Sequence, residues 1–308
     1  MEVVKEKPSS GYGKPPWIFR GSALYQLHLV KAEKAQACIP KELKLVEAFG
    51  YTLGGFFLAS YEDSPAGVFD ELVVIAGLVW NRPTSCAWAT KVYVNSDEAC
   101  NHGRKEVGLP SQMARFSKTI EAISRQPRER MSGFSNIIGI NDIFCNPKDH
   151  MNVQVTNVKC VDQADSCNIS LTSSAVPALS WMGPAIKMSL PSFSGATVYN
   201  PNLLKYSCQI ECRVQPVQPM KVSGAMPLTN GDKDQPSEDH GANNHVVGDD
   251  QNDRQNLINN VMLSKPILAL KFNQMRMQVE APIVLSQCSN STETSVSSVP
   301  LSNIERFV

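Results

Sequence analysis

Hydrophobic and polar residues alternate along much of this chain, as they do in strands that have one buried face. The clearest case is 22–30, where Ala23, Tyr25 and Leu27 fall on one side, which predicts a strand. Within a second such stretch, Gly54-Gly55 indicates a bulge or a close approach of two backbones. The predicted strands after the first cover 43–49, 51–61, 86–95, 113–123, 151–161, 166–172, 197–214, 261–270 and 271–286.

One apolar run differs from these alternating stretches because it has no polar side. The run from Leu72 to Val79 is rich in β-branched residues and predicts a strand that is buried on both faces. It follows Ser64-Pro65-Ala66-Gly67, which is typical of a tight turn. Glu71 therefore lies where solvent gives way to core, and its carboxylate must be paired, hydrogen-bonded or shifted in pKa.

Helical signals are few and short. Residues 31–38 are rich in Ala, Lys and Glu and predict a short helix. A second helix is predicted to begin at Ser96 or Asp97, either of which can cap it. It ends before Gly108 and Pro110, which are residues that stop helices.

Two segments have the composition of irregular chain. Residues 1–20 contain closely spaced proline and glycine and predict an arm. Residues 216–257 predict a disordered acidic loop, because Asn230 to Gln255 carries seven acidic and two basic residues with few apolar ones. The rest, 21–308, is predicted to be a single domain that this loop interrupts.

Composition and charge exclude several classes of function. The 308 residues have a formal net charge of zero, which gives no global basic surface for nucleic acid. No apolar run reaches the roughly 20 residues of a transmembrane helix. The N-terminus has the features of neither a signal peptide nor a transit peptide, which predicts a cytoplasmic location. Nine cysteines without a regular spacing predict reduced thiols.

Many short strands with few helices favour a mainly β (α+β) fold, a closed antiparallel β-barrel with a few peripheral helices. Two motifs add a resemblance to this pattern. Tyr61, the Ser-Pro-x-Gly turn and Glu71, followed by Gly103-Arg104 and Gly108-Leu109-Pro110, resemble the acetoacetate decarboxylase superfamily. That resemblance implies a cone-shaped β-barrel with helices outside it.

The whole chain is more similar to a divergent branch of that superfamily, the plant neoxanthin-deficient protein family. This closer similarity begins at Gly11-Tyr12-Gly13-Lys14-Pro15-Pro16-Trp17 and covers nearly all of the chain. It implies a requirement for forming neoxanthin from violaxanthin, in carotenoid metabolism upstream of abscisic acid.

One departure from the superfamily decides which chemistry is expected. In the decarboxylases two consecutive lysines follow the Gly-x-Pro, and the first forms a Schiff base with the substrate. Ser111 and Gln112 stand there in this chain. A hydroxyl and an amide cannot form an iminium with a ketone, so decarboxylase activity is not expected.

The resemblance, together with the buried position of Glu71, predicts that four residues line a ligand cavity. Glu71 and Arg104 could orient a polar ligand or act in acid–base catalysis, or they could form a structural ion pair. Ser111 and Gln112 could hydrogen-bond a hydroxyl or an epoxide oxygen, or they could line a cavity that has lost its function.

Other reactive residue types favour ordinary structural roles. The missing nucleophile could be replaced by Lys91, Lys105 or Lys118, but solvated surface lysines are expected at these positions. Glu106 is also expected to be a surface residue. Four residues of a strand separate Cys208 and Cys212 by about 13 Å, too far for one tetrahedral ion. Cys160 and Cys167 are expected to be a pair of buried thiols, and His150, His240 and His245 have no metal-ligand spacing, so no metal site and no cofactor are predicted.

Three functions remain open. The first is a non-catalytic accessory protein of neoxanthin formation that binds a carotenoid, another apolar ligand or a carotenoid-pathway enzyme. The second is an acid–base isomerase that opens the epoxide of violaxanthin, and the third is a decarboxylase or aldolase with a displaced lysine. The implied pathway would place the protein in plastids, in conflict with its N-terminus. A homo-oligomer is expected by analogy with the decarboxylases.

Overall fold

The computed structural model describes residues 12–122, 149–157, 168–172, 182–224 and 258–286. A helical turn covers 258–262, and no described helix is long and apolar enough to cross a membrane. The other elements, in chain order, are β1 (Trp17–Lys31), α1 (Ala32–Gln36), β2 (Tyr51–Asp63), β3 (Phe69–Asn81), β4 (Thr84–Val94), α2 (Asp97–Lys105), β5 (Ser111–Ala122), β6 (Asp149–Asn157), β7 (Asn168–Thr172), β8 (Ala185–Gly195), β9 (Leu203–Val217), β10 (Lys221–Gly224), β11 (Lys265–Val279) and β12 (Ile283–Ser286).

Seven strands close into a barrel in the order β4, β3, β2, β1, β11, β9 and β8, with β8 returning to β4. The predicted closed barrel is thus confirmed, but it is not wholly antiparallel. The closing pair is parallel and short, joining Ala87 to Ser192 and Trp88 to Phe193. Parallel neighbours need a crossover connection. Here the chain leaves β4 and builds a side sheet in the order β5, β6, β7 and β10. Strand β8, which follows β7 and precedes β10 along the chain, belongs to the barrel instead.

Both faces of the central strands are buried, as the apolar run from Leu72 to Val79 predicts. On β2, Phe57 faces the barrel interior while its neighbour Phe56 packs in an outer layer. That outer layer includes Ala35 of α1 and Leu171 of the side sheet. Alternate residues of one strand therefore serve two separate cores.

The glycine pair in β2 allows three backbones to lie unusually close together. A Cβ atom at Gly54 would lie 2.6 Å from the carbonyl oxygen of Ile75. A Cβ atom at Gly55, whose φ is +128°, would lie 2.0 Å from the carbonyl oxygen of Gln26. The predicted close approach is confirmed, because no side chain fits at either position.

Three predicted element boundaries were wrong. Residues 43–49 form no continuous strand; Ala48 makes a single bridge to Tyr51 of β2, and Val46 donates to the Leu78 carbonyl near the end of β3. The strand β1 begins at Trp17, four residues inside the predicted arm. The strand β11 is continuous across the predicted break at 270, and a helical turn precedes it.

The predicted disordered loop at 216–257 begins too early. Residues up to Val217 belong to β9, and β10 follows at Lys221–Gly224. Between them Met220 is buried and its backbone is held by the fully buried Gln26. The Gln26 side chain accepts from the Met220 N–H at 2.7 Å and donates to its carbonyl at 3.1 Å. The acidic stretch itself lies outside the described residues.

The two hydrogen bonds of Gln26 generate a stability prediction. Replacing Gln26 with Met keeps the volume but leaves the buried N–H and C=O of Met220 without partners. We expect the free energy of unfolding in urea to fall by about 2–4 kcal/mol. The matched control is Gln154→Met on an exposed strand position, for which the expected change is within about 0.5 kcal/mol. Equal effects of the two substitutions would contradict this role of Gln26.

Candidate functional site

The barrel encloses a cavity of about 370 Å³. All seven barrel strands contribute to its wall, together with α2, the segment after it and Tyr12 ahead of β1. The wall is mainly aromatic and aliphatic, with side chains such as Phe57, Phe69 and Ile210. A concave, largely apolar space with a few polar groups is typical of a small-molecule site.

The central polar group of this wall is the carboxyl of Glu71. The pairing of β2 with β3 places Tyr61 close to it, and the tyrosine hydroxyl donates to Glu71 Oε2 at 2.8 Å. Burial raises the pKa of Glu71 to about 7, and the hydrogen bond from Tyr61 opposes part of that rise. The carboxyl is therefore hydrogen-bonded and has a raised pKa, which are two of the three outcomes predicted for it. Near neutral pH it is about half protonated.

The groups around Glu71 are neutral. Burial, reinforced by the nearby Glu71 carboxylate, raises the pKa of the Cys208 thiol to about 12. Burial is also the main reason why the pKa values of Tyr12, Tyr61 and Tyr206 are raised. At neutral pH these four side chains therefore present hydroxyl and thiol groups rather than anions.

Helix α2 closes part of the cavity wall. Its start agrees with the prediction, because Ser96 is the N-cap and its hydroxyl accepts from the Ala99 N–H at 3.3 Å. The buried face of the helix carries Ala99, His102 and Gly103 into the cavity wall. Sequence reasoning missed His102, although its three-residue spacing from Ala99 places both on one helical face.

His102 is enclosed by aromatic rings. The ring of Tyr12 stacks on it with centroids 3.7 Å apart and an interplanar angle of 15°. The indole of Trp17 meets it edge-on at 4.4 Å. Burial lowers the pKa of His102 to about 4, so the imidazole is neutral at neutral pH. Tyr12 and Trp17 of the predicted arm thus pack on α2.

The structure brings two of the four predicted cavity residues together and leaves two outside the lining. Glu71 and Ser111 line the cavity, and Ser111 is almost fully buried. Arg104 instead donates through Nε to the Ser111 carbonyl at 2.8 Å and lies 4.3 Å from the ring centre of Tyr199. Gln112 follows Ser111 on β5, opposite Tyr93 of β4. The ligand contacts expected of all four remain predictions.

Arg104 and Glu71 form no ion pair in the part of the chain that the structure describes. The Arg104 guanidinium holds the backbone at Ser111, where β5 begins next to β4. Gly103 makes room for this contact, since a Cβ atom there would lie 2.8 Å from the Ser111 hydroxyl oxygen. The Gly-Arg motif therefore fixes the position of Ser111 in the cavity wall.

Among the described residues, none of the side chains lining the cavity is a lysine. Lys118 pairs with Asp70 outside the cavity, and Lys105 is exposed. Lys91 lies 5.8 Å from the ring centre of Tyr93. Glu106, the C-cap of α2, is exposed.

None of the described cysteines forms a disulfide, including Cys208 in the cavity wall and the buried Cys212. Within the described ranges no three His, Cys, Asp or Glu side chains are grouped closely enough to hold a metal ion. The predictions for Cys160, Cys167, His240 and His245, and for the side chain of His150, lie outside the described residues.

Comparison with solved structures supports the fold alone, because sequence identity to them is low. Acetoacetate decarboxylase from Legionella pneumophila superposes with a TM-score of 0.55 at 11% identity, covering 93% of each chain. An acetoacetate decarboxylase-like enzyme from Sphingomonas wittichii gives a TM-score of 0.51 at 10% identity, covering 92% of this chain and 99% of that one. The predicted acetoacetate decarboxylase-like barrel is confirmed.

Comparison with curated proteins gives much higher identity. No family model matches the chain. The Protein NEOXANTHIN-DEFICIENT 1 of Solanum lycopersicum is 62% identical over 296 residues, which are 95% of this chain and 100% of that protein. The proteins of the same name from Arabidopsis thaliana and Oryza sativa are 59% and 50% identical, over 92% and 94% of this chain and 99% and 96% of their own lengths. At this identity and coverage, the chain belongs to the NEOXANTHIN-DEFICIENT 1 family of plant proteins.

Proposed function

We propose that this protein supports neoxanthin formation by binding an uncharged, apolar ligand in the barrel cavity, without Schiff-base chemistry. The relatives are named for a deficiency of neoxanthin, which points to the xanthophylls as the ligand class. The observation that carries the proposal is the chemical character of the wall. It is aromatic and aliphatic, and its polar groups are neutral or close to neutral at physiological pH.

The composition of the wall disfavours an anionic ligand, such as the substrate of a decarboxylase. A carboxylate substrate needs a fixed positive charge, and the described lining offers neither lysine nor arginine. The resemblance to the superfamily implies that Ser111 stands where its members carry the reactive lysine. A half-ionised Glu71 would repel an anion, whereas its protonated form can donate a hydrogen bond to a neutral oxygen.

The cavity volume sets how much of a xanthophyll can enter. About 370 Å³ lies near the lower end of the roughly 300–1,000 Å³ of small-molecule sites. That space suits one ring of the molecule, with its hydroxyl and epoxide oxygens, and not the whole of its long polyene. The protein would therefore hold an end group while the remainder extends beyond the cavity.

A second candidate function is epoxide isomerisation, and Glu71 is the observation that favours it. A carboxylic acid with a pKa of about 7 is suited to general acid catalysis at neutral pH. It could protonate the epoxide oxygen as the carbon–oxygen bond breaks, while a base removes a proton from the adjacent polyene carbon to form the allene. One proton is added to the epoxide oxygen and one is removed from carbon, so the product is an isomer of the substrate and no other reactant is needed.

Binding to the cavity is tested by filling it. Val73 lines the wall on β3, and Val73→Phe should occupy part of the space that a ring needs. We expect the variant to bind violaxanthin in detergent micelles at least about ten-fold more weakly, a change of about 1.4 kcal/mol. The measurement is the quenching of tryptophan fluorescence, since Trp17 lines the same cavity. Val198→Phe, at a position that is 93% exposed, is the matched control. Equal affinities of the two variants would exclude binding in the cavity.

The two candidate functions differ in what happens to bound violaxanthin. Under the accessory function the purified protein binds it and chromatography finds no neoxanthin. New neoxanthin that appears with the wild type and with Glu62→Gln, but is reduced at least about 100-fold by Glu71→Gln, would establish the isomerase instead. Glu62 is the matched control because it is an exposed glutamate on the neighbouring strand β2.

The raised pKa of Glu71 predicts how stability depends on pH. Its protonated form stabilises the fold fully below about pH 4.5, and this contribution is lost as pH rises through about 7. Glu71→Gln stays neutral and keeps an oxygen to accept from Tyr61. Its Tm should match the wild type at about pH 4.5 and exceed it by on the order of 5 °C at about pH 8, because one pKa unit is worth about 1.4 kcal/mol.

The control for this pH profile is Glu62→Gln, which makes the same chemical change at an exposed position. Its Tm should follow that of the wild type at every pH. A Tm difference between Glu71→Gln and the wild type that does not change with pH would show that Glu71 has the same pKa in the folded and unfolded chain, contrary to the assigned shift.

A further inference from the structure

His102 combines deep burial with unused hydrogen-bonding capacity. Its side chain lines the cavity, and the residue is only 5% exposed. Neither Nδ1 nor Nε2 has a hydrogen-bond partner among the residues that the structure describes. Leaving a buried polar group without a partner destabilises a fold, so a histidine here is a poor choice for packing alone.

A second buried histidine shows what a structural role looks like in this fold. His28 is 1% exposed, yet both of its ring nitrogens have neighbours. Nε2 lies 2.9 Å from the amide nitrogen of Gln26, and Nδ1 lies 3.3 Å from the carbonyl oxygen of Val261. His28 is absent from the cavity lining, whereas His102 is part of it. The buried histidine outside the cavity wall thus has neighbours for both ring nitrogens, whereas the one in the wall has none among the described residues.

The orientation of His102 is fixed by its neighbours rather than by hydrogen bonds. Tyr12 covers one face of the imidazole, and Trp17 meets it edge-on. Trp17 is itself held by a hydrogen bond from its indole nitrogen to the Gly13 carbonyl at 3.1 Å. Packing thus fixes the ring in the cavity wall, where both of its nitrogens are buried without a hydrogen-bond partner among the described residues.

The protonation state of His102 limits the chemistry of its partner. Because burial lowers its pKa to about 4, the ring is neutral at neutral pH and offers one N–H donor and one nitrogen acceptor. A cation would have attracted an anion, but a neutral imidazole has no such preference. A hydroxyl group suits it, since it can accept from the N–H or donate to the bare nitrogen.

We propose that His102 is a ligand-binding residue that hydrogen-bonds an uncharged oxygen, a hydroxyl above all, on the ring held in the cavity. This assignment rests on the proposed function for the identity of the ring. It adds a second polar contact to the one offered by Glu71, on a different element of the wall. Two such contacts select an oxygenated ring over a plain hydrocarbon ring, because the hydrocarbon leaves both groups unpaired.

Three carotenoids with similar long polyenes but different ring oxygens test the assignment. β-Carotene has no ring oxygen, zeaxanthin has a ring hydroxyl, and violaxanthin has a hydroxyl and an epoxide. We expect the wild type to favour zeaxanthin over β-carotene, and His102→Phe to reduce that preference by about five- to ten-fold. Affinity for β-carotene should stay within about two-fold of the wild type, because phenylalanine keeps the stacking on Tyr12.

The preference is measured as a ratio of dissociation constants within each variant, which cancels the unequal partitioning of the carotenoids into micelles. His102→Asn, which keeps a donor and an acceptor, should restore part of the preference. Binding of all three carotenoids with an unchanged ratio in His102→Phe would overturn the assignment and leave the proposed function intact. Binding of none of them by the wild type would overturn the proposed function and the ligand assignment with it.

The Tm of the ligand-free protein provides a second test of the assignment. Removing unpartnered buried nitrogens should not destabilise the fold, so His102→Phe should have a Tm equal to or above that of the wild type. The matched variant His28→Phe loses two hydrogen-bonding contacts and should have a lower Tm. A comparable loss of Tm in both variants would identify His102 as a structural residue and overturn the assignment.

Discussion

Closure of the barrel by β8 is the constraint on which the site depends. This strand joins β9 along its whole length but meets β4 through only two residue pairs, Ala87 with Ser192 and Trp88 with Phe193. Closure removes the sheet edges and turns the inward side chains of seven strands toward one interior. Large aromatic residues such as Phe57 and Tyr206 contribute to the wall, yet about 370 Å³ stays unfilled.

Burial has the same electrostatic consequence for every titratable group in this interior. It raises the pKa values of Glu71 and Cys208 and lowers that of His102, so each shift favours the uncharged form. The site is therefore polar without being ionic, apart from the fraction of Glu71 that is ionised. This is the reverse of a Schiff-base site, where charged groups activate an amine. The same barrel can thus serve a different ligand class through a few changes of side chain.

The Gly-Arg and Gly-x-Pro motifs have a structural explanation that does not require catalysis. Gly103 leaves space for the Ser111 hydroxyl, and Arg104 binds the Ser111 carbonyl while lying against Tyr199. A Cβ atom at Gly108, whose φ is +69°, would lie 3.0 Å from the backbone of Gly195 in β8. Because Arg104 binds the backbone of residue 111, this contact positions the start of β5 against α2 without using the side chain at 111. The motif therefore has a structural role in the fold.

The sequence by itself determined the mainly β fold, the turn before Glu71, the capped helix α2 and the presence of Ser111 and Gln112 after the Gly-x-Pro motif. These features depend on local periodicity, turn chemistry and residue identity, which a chain carries without its partners. Only the tertiary structure decided that Arg104 supports the wall, that Met220 belongs to the core, and that His102 lines the cavity with no hydrogen-bond partner among the described residues. The contacts of Arg104 with Tyr199, of Met220 with Gln26 and of His102 with Tyr12 join segments distant along the chain, and no local pattern specifies them.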